Sequence, residues 1–464
     1  MTEQPTAIGD LVGPVIRDLA RRSGRDVNRW LRQVERLRGC SDPVCLVGEV
    51  SALDPTTGEL LHHYTTNTEP HGHLLVRCGN RRASRCPACA ETYRADTFHL
   101  IRAGLLGGDK GVPPTVGSHP RVLATLTAPS FGPVHRGPDK HGHSDICHPR
   151  RTGPACFTRH PADDHQIGQP LAPDTYDYVG HVLWNAHAGV LWHRFGIYLR
   201  RHLGSAAGLT RTQFSRQLRL SFAKVAEYQA RGVVHFHAVV RLDGRTPDGD
   251  ITAPPPWATV DLLTDALPPA AKRVRIDLPD PYGNDPRSLS WGTVDVRPIQ
   301  SSTPDDTTIS EAAVAGYVAK YATKAAETSG TLDRPVRHHD LARLDRYGVT
   351  DHAARLIRTA WDLGNPDTYP DLAPLRLRRW AHMLGYRGHF STKSRAYSTT
   401  LTALRRVRLE YRQARDHDRL PYDPANALVL ARWKYGGQGF TTGETALAAG
   451  LSRHGRKGGV ITDG

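Results

Sequence analysis

Two histidines flank a single phenylalanine, His235-Phe236-His237, inside the run VVHFHAVVRL. On a β-strand, residues i and i+2 point to the same face, so both imidazoles can meet one metal ion. Phe236, Ala238, Val240 and Leu242 fall on the opposite face, which suits a strand packed on a core. Glu227 stands just before a QARG turn, so a tight hairpin brings it roughly opposite His235. A carboxylate there is either a third ligand or a group that orients one of the imidazoles. The plainer reading is an edge glutamate facing water. With 25 His in the chain an HxH triplet can arise by chance, and Glu227 is what gives this one weight.

A second set is Tyr317, Lys320, Tyr321 and Lys324 in YVAKYATK. Four residues apart on a helix, the two tyrosines share a face with Cβ atoms about 5–6 Å apart. A phenol with a pKa of about 10 is a poor nucleophile at neutral pH. An adjacent ammonium and a divalent cation stabilise the phenolate and make it a usable one. Each Tyr is followed three residues later by a Lys, although the chain has only nine. Without the HxH strand the same pattern reads as an amphipathic Tyr/Lys surface.

Sulfur supplies a third set. Cys78-x7-Cys86-Pro-Ala-Cys89 contains a CPAC knuckle of the kind that holds structural zinc. Seven cysteines, an odd number, in a chain whose first residues lack an export signal favour metal over disulfides. Cys147, Cys156, His160 and His165 could form a second site within a stretch, 132–178, crowded with His, Pro and Gly.

Positioning these residues takes strands and helices in a definite order. RVLATLT (121–127) reads as a strand, and 178–202 as a helix ended by Gly204. LRLSFAKVAEY and VVHFHAVVRL flank the QARG turn as a hairpin over 217–242. A capping box, Thr308-x-x-Glu311, starts the tyrosine helix, which runs to about Glu327 with Gly330 as its stop. The first forty residues read as two helices, the second between an Asp26 N-cap and Gly39. Pro- and Asp-rich linkers at 244–256 and 279–288 bracket a segment without a clear assignment, and the last 130 residues read as mainly helical and basic.

Lys plus Arg is 61 against 46 Asp plus Glu in 464 residues, a formal net charge of +15. Nearly all the positive charge is Arg, whose planar fork matches phosphate, so a nucleic acid is the leading partner class. An Arg-rich codon preference is the plainer explanation. No apolar run approaches the roughly 20 residues that cross a bilayer, so we expect a cytoplasmic protein with no membrane partner.

In combination these features resemble the HUH endonucleases, a class of single-strand nickases. The order RVLATLTAPSFGPVH, KVAEYQARGVVHFHAVVRLDG, YVAKYATK and GYRGHFSTKSRAYS is similar to that of rolling-circle replication initiators of actinomycete plasmids and integrative conjugative elements. The likeness covers most of residues 38–440. It implies an α+β fold: an antiparallel ferredoxin-like sheet and a tyrosine-bearing helix over 118–330, an N-terminal helical and zinc-binding region over 1–117, and a basic C-terminal region over 331–464. It implies a tyrosine attacking a DNA phosphate, leaving a 5′-phosphotyrosyl enzyme and a 3′-OH that primes synthesis. Mg²⁺ or Mn²⁺ on His235, His237 and Glu227 would polarise the phosphate. Tyr321 matches the nucleophile segment, and Tyr317 stands where single-tyrosine relatives carry a glutamate, so the two phenols could alternate.

The resemblance also places Cys40, in GCSDPV, as the fourth ligand of a structural Zn²⁺ with Cys78, Cys86 and Cys89, with Cys45 and His73 as competitors. Relatives carry a cysteine pair near Ala172 and Thr175 that is missing here, which leaves the second metal site open. Arg81, Arg82 and Arg85 near the zinc, and Arg387, Lys393 and Arg395 in the C-terminal part, are candidates for DNA backbone contact. The expected partner is a replication origin, single-stranded or hairpin at the nick. No GxxxxGK[ST] loop occurs, so helicase and polymerase come from the host. The alternatives are an HUH relaxase or transposase, or a zinc-bearing DNA-binding repressor without enzymatic activity.

Overall fold

A computed structural model describes residues 24–108, 111–139, 141–300, 309–322, 329–416 and 426–440, with Tyr422 and Thr445 besides. The fold is α+β with antiparallel sheets. In chain order the main elements begin with α1 (Gly24–Leu37), β1 (Val44–Leu53), β2 (Leu60–Thr65), β3 (Leu74–Val76), α2 (Pro87–Leu106) and β4 (Arg121–Leu126). Then come α3 (Tyr178–Ala206), β5 (Leu218–Tyr228), β6 (Val234–Arg245), α4 (Val260–Lys272), β7 (Val294–Gln300) and α5 (Glu311–Tyr321). The last are α6 (Asp351–Leu363), β8 (Ser391–Lys393), α7 (Leu401–Asp416) and β9 (Leu428–Gln438). Among the described residues no helix is long and apolar enough to cross a membrane.

The chain divides into two compact units: residues 1–96 with 400–464, and residues 97–399. The reason is β9, which lies antiparallel along all of β1, from Val44 opposite Gln438 to Leu53 opposite Leu428. A C-terminal region expected to be mainly helical thus contains a long strand of the first unit. In that unit β1 also pairs with β2 and β3. Trp30, Val34 and Leu37 of α1 are buried, and the buried Gln33 accepts from Leu75 N–H at 2.7 Å, tying α1 to β3. Gly39 takes φ 77° and ends the helix as expected. Asp26, expected as the N-cap, instead lies inside α1, which is already helical at Gly24, the first of the described residues. The other helix expected in the first residues lies outside the described residues.

The second unit is built on a sheet of order β7-β4-β6-β5-β8, antiparallel throughout, with the short strand Ile309–Ser310 parallel to β7 at one margin. One face carries Phe236, Ala238, Val240 and Leu242, all fully or nearly fully buried in a core shared with α3 and α4. Each large apolar side chain so buried contributes roughly 1.5–3 kcal/mol. The hairpin turn is pinned from the same side. Buried Asn185 of α3 donates to the Gly232 and Leu384 carbonyls at 3.1 and 2.9 Å and accepts from Val234 N–H at 3.0 Å. Gly232 sits at φ 80°, a left-handed turn position that a side chain resists.

The unassigned segment between the two linkers contains α4, and β7 follows the second linker. Pro268 and Pro269 lie inside α4, and Pro298 lies inside β7, so both elements contain a residue that argues against them. α5 starts at Ser310, whose hydroxyl accepts from Ala313 N–H at 3.3 Å, and not at a Thr308 box. Thr308 and residues 323–328, including Lys324 and Glu327, lie outside the described residues.

Candidate active site

The hairpin register places Glu227 directly opposite His235 and Val225 opposite His237, while β4 places Thr125 opposite His237. One side chain oxygen, Glu227 Oε2, is 3.0 Å from His235 Nε2 and 3.1 Å from His237 Nε2. Glu227 and His237 are buried and His235 is half-buried, so the group is only partly accessible to solvent. Thr125 Oγ1 lies 3.1 Å from His237 Nδ1 and so occupies that nitrogen, leaving Nε2 facing the carboxylate. Two imidazoles and one carboxylate converging at a partly accessible point fit a divalent cation that keeps coordination positions for water or substrate.

α5 lies over this face. Val314, Ala315, Val318, Ala319 and Ala322 are its buried side, and the alanines allow close approach to the sheet. Its first residue, Glu311, pairs with Arg121 of β4, whose guanidinium also donates to the Leu105 and Val116 carbonyls at 3.0 and 3.2 Å. The pair is buried and fixes the start of the helix; nothing in the sequence pattern marks Arg121 for that task. Both tyrosines then reach His237. The Tyr321 ring stacks on the imidazole at 4.9 Å and 27°, and the Tyr317 ring meets it edge-on at 5.0 Å and 82°. The two phenol rings are 4.6 Å apart. Tyr321 is half-buried, whereas Tyr317 is 39% exposed. Burial, the hydrogen bond to Tyr321 and the Glu227 carboxylate hold the Tyr317 phenol well above its usual pKa, and the Arg297 guanidinium of β7 works against them.

Lys320 is exposed, one residue off the tyrosine face. The DNA-contact candidates are divided between the two units. Arg85 is exposed and Arg81 and Arg82 are half-buried beside the cysteines. Arg387 donates to the Pro374 carbonyl at 2.8 Å, and Arg395 is exposed. Lys393 spends its ammonium on its own turn, donating to the Ser398 carbonyl at 2.8 Å. Burial lowers its pKa.

In the first unit Cys40, Cys78, Cys86 and Cys89 come together, with Cys86 and Cys40 sulfurs 3.8 Å apart. Of the competitors, Cys45 faces the Gly439 carbonyl at 3.9 Å, and neither it nor His73 joins the four. In the 132–178 insertion Cys147, Cys156 and His160 do gather, but the fourth member is His135. His165 is 92% exposed and turned to Asp164, so its expected place in the group is not observed.

The sequence matches the family described as "Replication initiator protein, pSAM2" over residues 26–453. It is 52% identical over 457 residues to a replication initiator protein of Streptomyces ambofaciens, covering 97% of this chain and 94% of the relative. No solved structure matches it. Over nearly its whole length, then, this chain belongs to the pSAM2 replication initiator protein family.

Proposed function

We propose that this initiator is an HUH-type enzyme that nicks and rejoins one DNA strand to start rolling-circle replication of a plasmid or integrative element. The observation that carries this reading is the convergence of Glu227, His235 and His237 on one point with two tyrosine rings within 5.0 Å of His237. The trio would hold Mg²⁺ or Mn²⁺, which when bound supplies Lewis-acid polarisation of a non-bridging phosphate oxygen. Tyr321 Oη attacks phosphorus while the bond to O3′ breaks. The phenol proton leaves to water, and O3′ departs and takes one up. The products are a 5′-phosphotyrosyl enzyme and a 3′-OH that a host polymerase extends, with a host helicase unwinding ahead. Because one phosphodiester replaces another, the step is reversible, and Tyr317 is placed to attack at the end of a round. Arg297 stands where it favours negative charge at Tyr317. Cys40, Cys78, Cys86 and Cys89 hold a structural Zn²⁺ in the first unit, and exposed arginines contact the origin.

The test is incubation with single-stranded origin DNA and Mn²⁺, followed by denaturing electrophoresis for a covalent protein–DNA species. Tyr321→Phe should eliminate the first adduct, and Tyr317→Phe should leave that adduct but block the closing transfer. Adducts surviving in the double Phe variant, or no adduct from the unaltered protein, would overturn the reading. The second result would leave a DNA-binding repressor.

A further inference from the structure

The insertion between β4 and α3 has almost nothing apolar to hold it together. The core around the large sheet takes in Phe131 and Val134, and then, among the described residues, nothing until Tyr176. Among the described residues, strand-like pairing there is limited to two isolated bridges, Val134 with Pro170 and His148 with Cys156, and the other backbone hydrogen bonds belong to turns and loop crossings. Yet Cys147 is 1% exposed and His160 is fully buried. A segment that orders polar side chains without an apolar core needs another fastening, and metal and disulfide are the usual ones.

The geometry favours metal. His135, Cys147, Cys156 and His160 each offer one donor atom, all within 4.8 Å of one another. With Zn–S about 2.3 Å and Zn–N about 2.0 Å, a tetrahedron has S–S, S–N and N–N edges of about 3.8, 3.5 and 3.3 Å. Here His135 Nδ1 and His160 Nε2 are 3.1 Å apart. Cys156 Sγ is 3.4 Å from His160 Nε2, and Cys147 Sγ is 3.9 Å from His135 Nδ1. The surroundings fit as well. Asp164 Oδ2 accepts from His160 Nδ1 at 2.7 Å, the carboxylate–imidazole pairing that orients a ligand histidine. Arg136 N–H points at Cys147 Sγ at 3.2 Å, as a donor to a thiolate would. A disulfide would use only the two sulfurs and would not account for the convergence of both imidazoles on them.

We propose that His135, Cys147, Cys156 and His160 form a second Zn²⁺ site, closed and structural, with Asp164 fixing His160. Four protein ligands leave no position for substrate, so the site fastens the insertion and takes no part in strand cleavage. What it fastens is specific. His135 N–H donates to the Gln169 carbonyl at 2.9 Å, and the Gln169 side chain in turn accepts from His352 N–H of α6 at 3.3 Å.

Zinc analysis of the reduced full-length protein should give two ions per chain, one here and one at Cys40, Cys78, Cys86 and Cys89. Cys156→Ala with His160→Ala should remove one ion, and Cys86→Ser with Cys89→Ser the other, so each reading can fail separately. With Co²⁺ as probe, the ion retained by the Cys86→Ser, Cys89→Ser variant should show two-thiolate charge-transfer intensity, about half that of a four-thiolate site. His165→Ala and His148→Ala should each keep both ions. If the quartet variants do not fold, limited proteolysis of chelated wild-type protein should cut within 136–165, and added Zn²⁺ should restore protection. Equal resistance with and without the chelator, two ions retained in the Cys156→Ala, His160→Ala variant, or a Cys147–Cys156 disulfide in non-reduced peptide mass spectra would each overturn the proposal.

Discussion

Glu227, His235 and His237 on the sheet, and His135, Cys147, Cys156 and His160 in the insertion, gather their donors by opposite means. The trio comes from two adjacent strands whose register brings the three residues side by side before any ligand arrives. Its His237 meets the tyrosine rings. The quartet comes from a loop with two isolated bridges, and its donors close on one another. A site made by regular structure can afford weak, exchangeable coordination, because the fold holds the ligands. A site made by loops depends on its ion for its own order.

The sharpest test of this contrast compares His237→Gln with Cys156→Ala. His237→Gln should abolish nicking while shifting Tm by no more than about 2 °C. Cys156→Ala should lower Tm by roughly 5 °C or more and leave nicking per folded molecule intact. Equal losses of Tm in thermal melts would erase the distinction. A finer test removes the oxygen beside His237 Nδ1. Thr125→Val should weaken Mn²⁺ affinity about 10–100-fold, with full adduct formation restored at saturating Mn²⁺. An unchanged Mn²⁺ midpoint would mean that strand register alone orients the imidazole.

The smallest effect concerns the other face of the same hairpin, where Lys224 is buried with its ammonium 3.7 Å from the centre of the Phe236 ring. Burial pushes its pKa down to about 7 from 10.5. The unfolded chain keeps this lysine charged up to its ordinary pKa, so between those two values unfolding takes up a proton. The destabilisation is therefore complete at and below pH 7 and fades as the pH rises towards 10.5. Lys224→Met should raise Tm by roughly 3 °C or more at pH 7, with the gain vanishing near pH 10.5. A gain that grows with pH would show that the lysine is not carried uncharged in the fold.

The hairpin was fully legible, because a period of two and a short turn dictate that Glu227 faces His235. The shared face of Tyr317 and Tyr321 followed from helical spacing in the same way. Thr125 was within reach of that logic too, since it lies on the RVLATLT strand directly across from His237. What escaped had no period to betray it. His135 replaces His165 because proximity within a loop leaves no spacing rule. β7 and α4 hid behind their prolines. β9 contains strand-forming residues, Val429, Leu430, Trp433 and Tyr435, but its partner is hundreds of residues away, and no local signal specifies such a pairing.

That long-range pairing sets a timetable for synthesis. A ribosome adding about 5–20 residues per second needs on the order of 20–75 seconds to go from the end of β1 to the start of β9. During that interval one edge of β1 waits for the strand that will cover it, and Cys40, Cys86 and Cys89 lack Phe440, which packs against their cluster in the finished unit. The residues of the sheet-borne trio and both tyrosines, by contrast, emerge well before β9 is made. A chain stopped short of residue 428 would therefore carry Glu227, His235, His237 and both tyrosines with the first unit unfinished, so completion of the first unit reports that synthesis has passed β9.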